Sequence, residues 1–478
     1  MIVFGEWLPD QTDFGVPVSV AKNVLPSARG YRSINSLSTL SGAATGRIRG
    51  IIAAKDSTGS VNLFAGDETK LYKFDTNDSG LDDVSKGGGY TLGAYMNWHF
   101  AQFGNKLIAA GDTGETLQYW TLGASSAWAD ISGAPASRYV TVVRDFVVTG
   151  YVTNPYRVQW SALGDETSWT VGTNQADFQD IADMGAVTGL VGGEMGIILM
   201  EKGISRMTYS GSPLIFQFDS IETARGVPFE GGFAAIGPST IFYLSDDGFY
   251  LFNGASSQPI GSEKVNKWFY DNLNIGFAER ISCSIDPVNQ IVAWGFPSIA
   301  SGSGEPDTVL FYNYAIGRWS YAVVAHEMLG NFFSAASTLE AIDNINNNID
   351  SLNTSLDSRL FKGGTFFFGG AKDKKLATFT GDTLTAQLTT GEQEITRSRH
   401  TNITRIVPYF TGGTITSTIG TRNSQGATVS FGDAASLNSD GFMPTRAAAK
   451  FHRMQFDLSG TWSELIGYDM TTAPMGMR

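Results

Sequence analysis

The most regular feature of the chain is a hydrophobic pattern that recurs along most of its length: an apolar run, a short turn rich in Asp and Gly, and an aromatic run. Five consecutive copies begin 44, 39, 51 and 44 residues apart, close to the roughly 40 to 50 residues of a four-stranded propeller blade. The copies begin at Leu63, Leu107, Phe146, Ile197 and Ile241, with later ones at Val309 and Phe366. This period predicts an all-β fold built on a β-propeller of about six blades.

Each copy has the local chemistry of a β-hairpin. Residues that tolerate positive φ, such as Gly66-Asp67 and Asp247-Gly248, separate two runs of strand-forming residues. The runs at 241–244 and 249–252 are almost continuously apolar, as expected for strands that neighbouring sheets cover on both faces. Helices are disfavoured there by the short runs, the β-branched and aromatic residues and the Gly breaks.

Changes in pattern divide the chain into three parts. Residues 1–45 carry prolines at positions 9, 17 and 26 and show no helical or strand period. They predict an extended N-terminal arm that packs on its own fold or on a neighbouring subunit. The propeller is expected at 46–385. At 386–478, six short alternating runs, separated by turns at positions such as Gly412 and Gly460, predict a C-terminal β-sandwich-like domain.

One segment of the propeller region, 336–360, has a helical pattern and predicts one inserted helix. Its apolar residues are spaced 3, 4, 3 and 4 apart, which is the a/d pattern of a coiled-coil seam. They are Ile342, Ile345, Ile349, Leu352 and Leu356. Asn and Asp at the other positions are poor helix formers, so the apolar stripe needs a partner. The helix is either a lid on its own propeller or a contact with another subunit or protein.

Residues suited to catalysis or metal binding are scarce, with four His and one Cys in 478 residues. Cys283 alternates with Ile281 and Ile285, which is typical of a buried, inert thiol. The loop from Asp75 imitates the start of a calcium-binding loop, but Lys86 stands where a bidentate Glu is required. The common nucleotide-binding, zinc-protease and serine-hydrolase motifs do not occur. We therefore expect no catalytic, cofactor or metal site.

Charge restricts the possible partners. The formal net charge is −13, with −14 on residues 1–385 and +1 on residues 386–478. An acidic surface repels DNA, which argues against a protein that binds nucleic acid by neutralising phosphates. No run approaches the roughly 18 apolar residues of a membrane span. His326-Glu327, which follows a strand, is expected at the surface or an interface rather than as a metal ligand.

The order of these parts resembles the tail-hub or nozzle proteins of short-tailed bacteriophages, which include the packaged-DNA stabilisation proteins. The likeness covers essentially the whole chain in architecture. Its one short signature is the arm pattern around Asn23, Pro26, Gly30 and Tyr31. The segment 336–360 has no counterpart that we can assign, so the resemblance leaves the construction of the tip open.

This resemblance implies a structural virion protein, made in the host cytoplasm, that forms a hexameric ring beneath the portal and the head-to-tail adaptor. The lumen would continue the DNA channel without sequence-specific binding, retain the packaged genome and guide its ejection. Tail fibre or plug proteins would be further partners. The arm and the C-terminal domain would form the docking platform, with Trp7, Pro26 and Tyr31 and the stripe of 336–360 as the expected contact residues. Acidic loops at 75–83 and 246–247 would face the channel or the solvent near it.

Two other functions remain as alternatives. A carbohydrate-binding or sialidase-like propeller would need a convergent acid pair or an arginine cluster at the propeller mouth, and the sequence spacing does not assemble one. A scaffold propeller of the kelch or WD type would carry blade signatures that this sequence lacks.

Overall fold

A computed structural model gives the fold of the chain and describes residues 1–333, 366–397 and 399–475. Over these residues the chain is almost entirely β-structure, with one α-helix and two short 3-10 helices. The predicted all-β fold, with a propeller and a C-terminal β domain, is confirmed. The expected helix at 336–360, with Ile342, Ile345, Ile349, Leu352 and Leu356, lies outside the described residues.

The N-terminal arm contributes five short strands. They are β1 (Ile2–Val3), β2 (Val18–Lys22), β3 (Val24–Ser27), β4 (Gly30–Ser33) and β5 (Ser38–Thr39). Strands β3 and β4 form a hairpin. Strands β1, β2 and β5 instead pair with strands that lie far along the chain. The arm therefore packs on its own chain.

Four consecutive blades follow the arm, each a four-stranded antiparallel sheet. Blade 1 comprises β6 (Gly50–Lys55), β7 (Val61–Gly66), β8 (Leu71–Phe74) and β9 (Leu81–Asp83), and blade 2 comprises β10 (His99–Phe103), β11 (Lys106–Ala110), β12 (Gln118–Thr121) and β13 (Ala129–Asp130). Blade 3 comprises β14 (Tyr139–Val143), β15 (Phe146–Gly150), β16 (Arg157–Trp160) and β17 (Asp177–Asp180), and blade 4 comprises β18 (Val187–Val191), β19 (Gly196–Met200), β20 (Ile204–Tyr209) and β21 (Phe216–Glu222). A 3-10 helix, Ala182–Met184, connects blades 3 and 4.

Three further meanders complete the ring. Blade 5 comprises β22 (Phe233–Ala235), β23 (Ile241–Leu244), β24 (Phe249–Phe252) and β25 (Ser257–Pro259). The next four strands, which we call the fused meander, are β26 (Ser282–Asp286), β27 (Ile291–Phe296), β28 (Thr308–Asn313) and β29 (Arg318–Val323). Blade 6 comprises β30 (Met328–Phe333), β31 (Phe366–Lys372) and β32 (Lys375–Thr378), and β5 of the arm is its fourth strand. Helix α1 (Asn266–Asn272) and a 3-10 helix, Ile275–Arg280, precede the fused meander; the sequence pattern did not predict α1.

The meanders close into a ring around a central channel. The first strands contact each other in sequence from β6 through β10 and β14 to β18, and then from β22 through β26 and β30 back to β6. Blades 4 and 5 join through a shared apolar core. Blades 1 to 6 are sheets of their own, which confirms the predicted propeller of about six blades. The fused meander fills the position between blades 5 and 6 and differs because its sheet continues beyond the propeller.

The recurring sequence pattern corresponds to hairpins inside these meanders. The copy at Ile241 forms β23 and β24, which pair from Ile241↔Phe252 to Leu244↔Phe249. Every residue of β23 is buried, as its apolar run predicts. Gly248 in the intervening turn has φ of 140°, and a Cβ there would lie 1.9 Å from Nδ2 of Asn266. The turn therefore requires glycine.

Hydrophobic cores lie between neighbouring meanders rather than at a single centre. Separate clusters join blades 1 and 2, 2 and 3, 3 and 4, 4 and 5, and 6 and 1. A larger cluster joins the arm, blade 5, helix α1, the fused meander and the C-terminal sheet. Strands such as β19, β23 and β28, whose residues are all buried, are thus covered on both faces, which explains why their runs are nearly continuously apolar.

The C-terminal sheet is dominated by two long strands. Its members are β33 (Ala386–Thr390), β34 (Thr401–Arg422), β35 (Ser430–Phe431), β36 (Ala435–Ser436), β37 (Met443–Ala449) and β38 (Phe451–Pro474). Strands β34 and β38 pair antiparallel over their lengths, with register shifts near Gly412. Gly412, Gly413 and Gly460 have φ of 73°, 67° and 72°, so the positions expected to be turns are bulges at which the long strands bend.

Candidate docking platform

The arm joins the propeller and the C-terminal sheet into one continuous sheet. Strand β2 pairs antiparallel with β33 on one side and parallel with β29 on the other, through Lys22 and Tyr321. The strand order is therefore β26-β27-β28-β29-β2-β33-β38-β34. We call the arm, the fused meander and the C-terminal sheet together the platform. Both ends of the described chain are built into it, because β1 pairs with β38.

Asn23 connects the two halves of this sheet. Its backbone N–H donates to the Tyr321 carbonyl at 2.7 Å, and its side-chain oxygen accepts from the Val323 N–H at 2.8 Å. Its side-chain nitrogen donates to the carbonyl of Thr385 at 2.8 Å, just before β33. Asn23 has φ of 58°, a left-handed conformation that Asn tolerates better than most residues. One residue thus bonds to both the fused meander and the C-terminal sheet.

Trp7 anchors the start of the arm. Its side chain is 1% exposed, and its indole N–H donates to the Ser19 carbonyl at 3.1 Å. The ring packs edge-on against Trp268, with centroids 5.0 Å apart, and tilted against Tyr321 at 5.1 Å. The arm is therefore held against α1 and the fused meander by aromatic packing. The side chain of Trp7 acts within the platform rather than at its surface.

Pro26 and Tyr31 are also buried, on facing positions of the β3–β4 hairpin. The Tyr31 hydroxyl donates to the Gly5 carbonyl at 3.0 Å, and burial raises the pKa of Tyr31 well above its ordinary value. At Gly30, with φ of 153°, a Cβ would lie 2.4 Å from the carbonyl oxygen of Leu465. The arm pattern therefore marks residues that pack this hairpin closely on β38.

A buried ion cluster holds the arm to the far end of the long strands. The Glu392 carboxylate, whose side chain is 1% exposed, lies 2.8 Å from Arg422 and 3.5 Å from Arg453. Arg453 also pairs with Asp13 of the arm, whose carbonyl accepts from the Glu392 N–H at 2.7 Å. Sequence reasoning missed this cluster because Asp13 and Arg453 are 440 positions apart. A Cβ at neighbouring Gly391 would lie 2.0 Å from the Val16 carbonyl oxygen, which shows how closely the arm approaches.

A second feature is a cleft of about 250 Å³, which we call the channel mouth. It lies where β6, β10, β22, β26 and β30 begin, so five meanders supply its walls. Its lining brings together Arg47, Arg49 and Arg280 with several glutamates, which sequence spacing did not do. Each of these arginines is paired within the chain, as shown by Arg47–Glu305 at 3.3 Å, Arg49–Glu68 at 2.8 Å and Arg280–Glu305 at 2.8 Å. Glu230 of the lining is paired with Arg138 at 2.6 Å.

Glu327 and His326 close the ring beside this mouth. The carboxylate of Glu327 accepts from the backbone N–H groups of Ile48 at 2.8 Å and Lys374 at 2.7 Å, which ties blade 6 to the strand entering blade 1. Burial raises the pKa of Glu327, and these two bonds oppose the change. The carboxylate therefore has a structural role in joining two blades.

His326 is 2% exposed, so the expectation of a surface or interface histidine was wrong. The Nδ1–H donates to the Val324 carbonyl at 2.8 Å, while Nε2 has no hydrogen-bond partner among the described residues. A Cβ at Gly295 would lie 2.1 Å from this Nε2, so the glycine provides the space that the imidazole fills. Burial lowers the pKa of His326 to about 4, and the ring is neutral at pH 7.

Other candidate chemical groups have structural partners. The Asp75 carboxylate accepts from the backbone N–H and side chain of Asn77, both at 2.8 Å, so it caps its own turn. Burial raises the pKa of the Cys283 thiol well above its ordinary value, which disfavours a reactive thiolate. In the described ranges no three His, Cys, Asp or Glu side chains are grouped to hold a metal ion. No helix there is long and apolar enough to cross a membrane.

The chain matches no family model and no curated protein. Among solved structures it is similar to a fungal alcohol oxidase of the AA5 family in complex with copper, at 9% identity and TM-score 0.43, covering 91% of this chain and 99% of that one. It is also similar to YCF48 from Cyanidioschyzon merolae, at 9% identity and TM-score 0.39, covering 72% and 98%. Hsv2 from Kluyveromyces lactis is 12% identical, with TM-score 0.34 and coverage of 58% and 85%. One of these names states an enzyme activity and the others do not, so the likenesses leave the function open.

Proposed function

We propose that this chain is a structural virion protein that forms the nozzle or hub ring of a short-tailed phage, below the portal and adaptor. The observation that carries the proposal is the platform. Strands β1 and β38, at the two ends of the described chain, belong to one sheet that continues into the propeller. A subunit that docks at one end and must hold a tube wall in a fixed orientation benefits from such a rigid connection. Independent domains on a linker would move relative to each other.

The distribution of charge supports the same role. Residues 1–385 carry −14 and residues 386–478 carry +1. An acidic wall repels DNA phosphates and lets the genome slide, whereas a near-neutral docking region suits contact with another protein. The proposed partners are further copies of the chain in a hexameric ring, the adaptor, tail fibre or plug proteins, and DNA that passes without sequence-specific binding.

We further propose that the chain is not an enzyme. At the channel mouth, Arg47 and Arg280, which could bind an anionic substrate, are already paired with Glu305 of the same chain. Glu230 of the same lining is paired with Arg138. Taking Arg138 out of this pair would leave the Glu230 carboxylate, which is 10% exposed, without its partner, which is unfavourable. The network fits a role in tying the blades together.

The alternative is a carbohydrate-binding or sialidase-like propeller, because the mouth does bring several arginines and glutamates into one cleft. This alternative requires that a glycan displace the internal ion pairs. Binding of sialylated and neutral glycans by the purified chain, lost on Arg280→Ala, would favour it. A chain that binds no glycan and forms a ring would exclude it.

The first test is the mass of the purified chain in solution, alone and mixed with a portal–adaptor assembly, followed by negative-stain imaging. The proposed function predicts a ring or tube that is coaxial with the adaptor. A monomer that does not bind the adaptor would refute the proposal. Lys55→Glu, at an exposed residue of blade 1 outside the platform, serves as a control that should leave docking unaltered.

A further inference from the structure

The C-terminal part of the chain carries exposed arginines that form no ion pair with a described carboxylate. We call Arg397, Arg399, Arg405 and Arg446 the arginine corner; all four are exposed, and none forms an ion pair with a carboxylate in the part of the chain that the structure describes. The other described bases of residues 386–475 behave differently. Arg422, Lys450 and Arg453 pair with Glu392, Glu394 and Asp13. The paired bases thus hold segments of the platform together, whereas the four arginines of the corner face solvent.

Two members of the corner emerge from neighbouring strands. Arg405 on β34 lies opposite Pro444 of β37, and Arg446 follows two residues later on β37. The Arg405 guanidinium rests over the Phe442 ring at 4.2 Å, which limits its freedom. The nearby carboxylate of Asp469 is already bound by the Met1 ammonium at 2.5 Å and the Tyr409 hydroxyl at 2.7 Å. Asp433 lines the same shallow cleft as Arg446 but forms no ion pair with it.

The propeller has the opposite character on its outer strands. The outermost strands of blades 1 to 4, namely β9, β13, β17 and β21, contain seven acidic residues and no basic residue. Four of the acids pair with bases: Asp180 and Asp219 with Arg157 and Arg206 on the neighbouring strands, Asp83 with Lys70 just before β8, and Asp130 with Lys86 in the loop after β9. Among the described residues Asp82, Asp177 and Glu222 form no ion pair with a base. Blades 1 to 4 are also the blades that do not adjoin the fused meander.

The two surfaces therefore lie on different parts of one chain and are complementary in charge. A contact between two different patches of identical subunits is heterologous, and repetition of such a contact generates a ring when the rotation closes. We propose that the arginine corner of one copy docks on the acidic outer strands of a second copy, and that this contact is the head-to-tail interface of the ring. The proposal rests on the ring of the proposed function and specifies its interface.

Light scattering and sedimentation of the full chain at two salt concentrations test this interface. Raising the salt from about 0.1 M to about 1 M shortens the Debye length from about 10 Å to about 3 Å, so self-association should weaken. The double variant R405E/R446E should lose association by about tenfold or more at low salt, because it places like charges together. The variant D82K/D177K/E222K should behave in the same way. Mixing the two variants should restore association.

The control is K55E/K202E, which makes the same change in net charge at two exposed lysines and should associate like the wild type. Unaltered circular dichroism and melting would show that each variant is folded. Self-association of R405E/R446E at the wild-type level overturns the inference, and a ring on the adaptor would then still support the proposed function. A variant that keeps self-association but loses the adaptor also overturns it. A wild-type chain that associates neither with itself nor with the adaptor removes both proposals.

Discussion

His326 makes the stability of the propeller depend on pH in a way that can be calculated. The imidazole is buried and neutral: its Nδ1–H donates to Val324, and no described residue would accept a hydrogen bond from Nε2 if that nitrogen gained a proton. Burial, assisted by the charge of Arg47, lowers the pKa of His326 from 6.5 to about 4. In the unfolded chain the ordinary value is restored. Between these two pH values the unfolded state therefore binds a proton that the folded state does not.

This difference in proton binding decides whether acid stabilises or destabilises the fold. Stability rises with pH wherever the unfolded state binds more protons, so the free energy of unfolding should fall as the pH drops from about 6.5 to about 4. A difference of one in pKa corresponds to about 1.4 kcal/mol. The full effect of His326 is therefore about 3 kcal/mol, present above pH 6.5 and lost by about pH 4.

The perturbation that isolates this effect is His326→Gln, which removes the titrating ring. Urea denaturation followed by tryptophan fluorescence gives the free energies of unfolding of both proteins between pH 7.5 and 4. The wild-type advantage over the variant should shrink by about 3 kcal/mol as the pH falls. The control is His400→Gln at a half-exposed histidine, which shows how far the loss of any imidazole changes the free energy of unfolding over the same pH range. Parallel curves for the wild type and His326→Gln would refute the reasoning.

Three further predictions concern packing and bonds in the platform and the ring. Asn23→Ala loses two side-chain hydrogen bonds and adds strain at φ of 58°, so the free energy of unfolding should fall by about 2 kcal/mol. Asn23→Gly loses the same bonds but relieves the strain, so its free energy of unfolding should fall by less. Equal losses of stability in the two variants would contradict this account. Glu392→Gln leaves two arginines without their buried counter-charge. It should lower the denaturation midpoint by an amount equivalent to about 3 kcal/mol. The control Glu194→Gln, at a side chain that is 89% exposed, should leave the midpoint unchanged. Gly295→Ala places a methyl group 2.1 Å from the imidazole and should destabilise by about 1–3 kcal/mol in calorimetry. Gly114→Ala, where a Cβ meets nothing within 4 Å, should not destabilise the protein. If Gly295→Ala did not destabilise it either, the His326 imidazole would be free to move away from the new methyl group.

The sequence by itself determined the propeller. Runs such as 241–244 and 249–252 are apolar at every position and flank an Asp-Gly turn, and hairpins depend on contacts between residues close in the chain. The repeat length then gave the size of a blade. Helix α1 was not predicted, because seven residues are too few to show a helical period. The turns expected at Gly412 and Gly460 became bulges, since both local structures use the same positive φ.

Only the tertiary structure decided how the parts join. The sequence placed Trp7, Pro26 and Tyr31 in an arm, but their burial depends on strands that lie hundreds of residues away. Asn23, the Glu392 cluster and the paired arginines of the channel mouth are likewise contacts between distant segments. Local pattern records whether a residue suits a strand or a turn. It does not record which distant strand supplies the partner, because that choice is made by the packing of the whole chain.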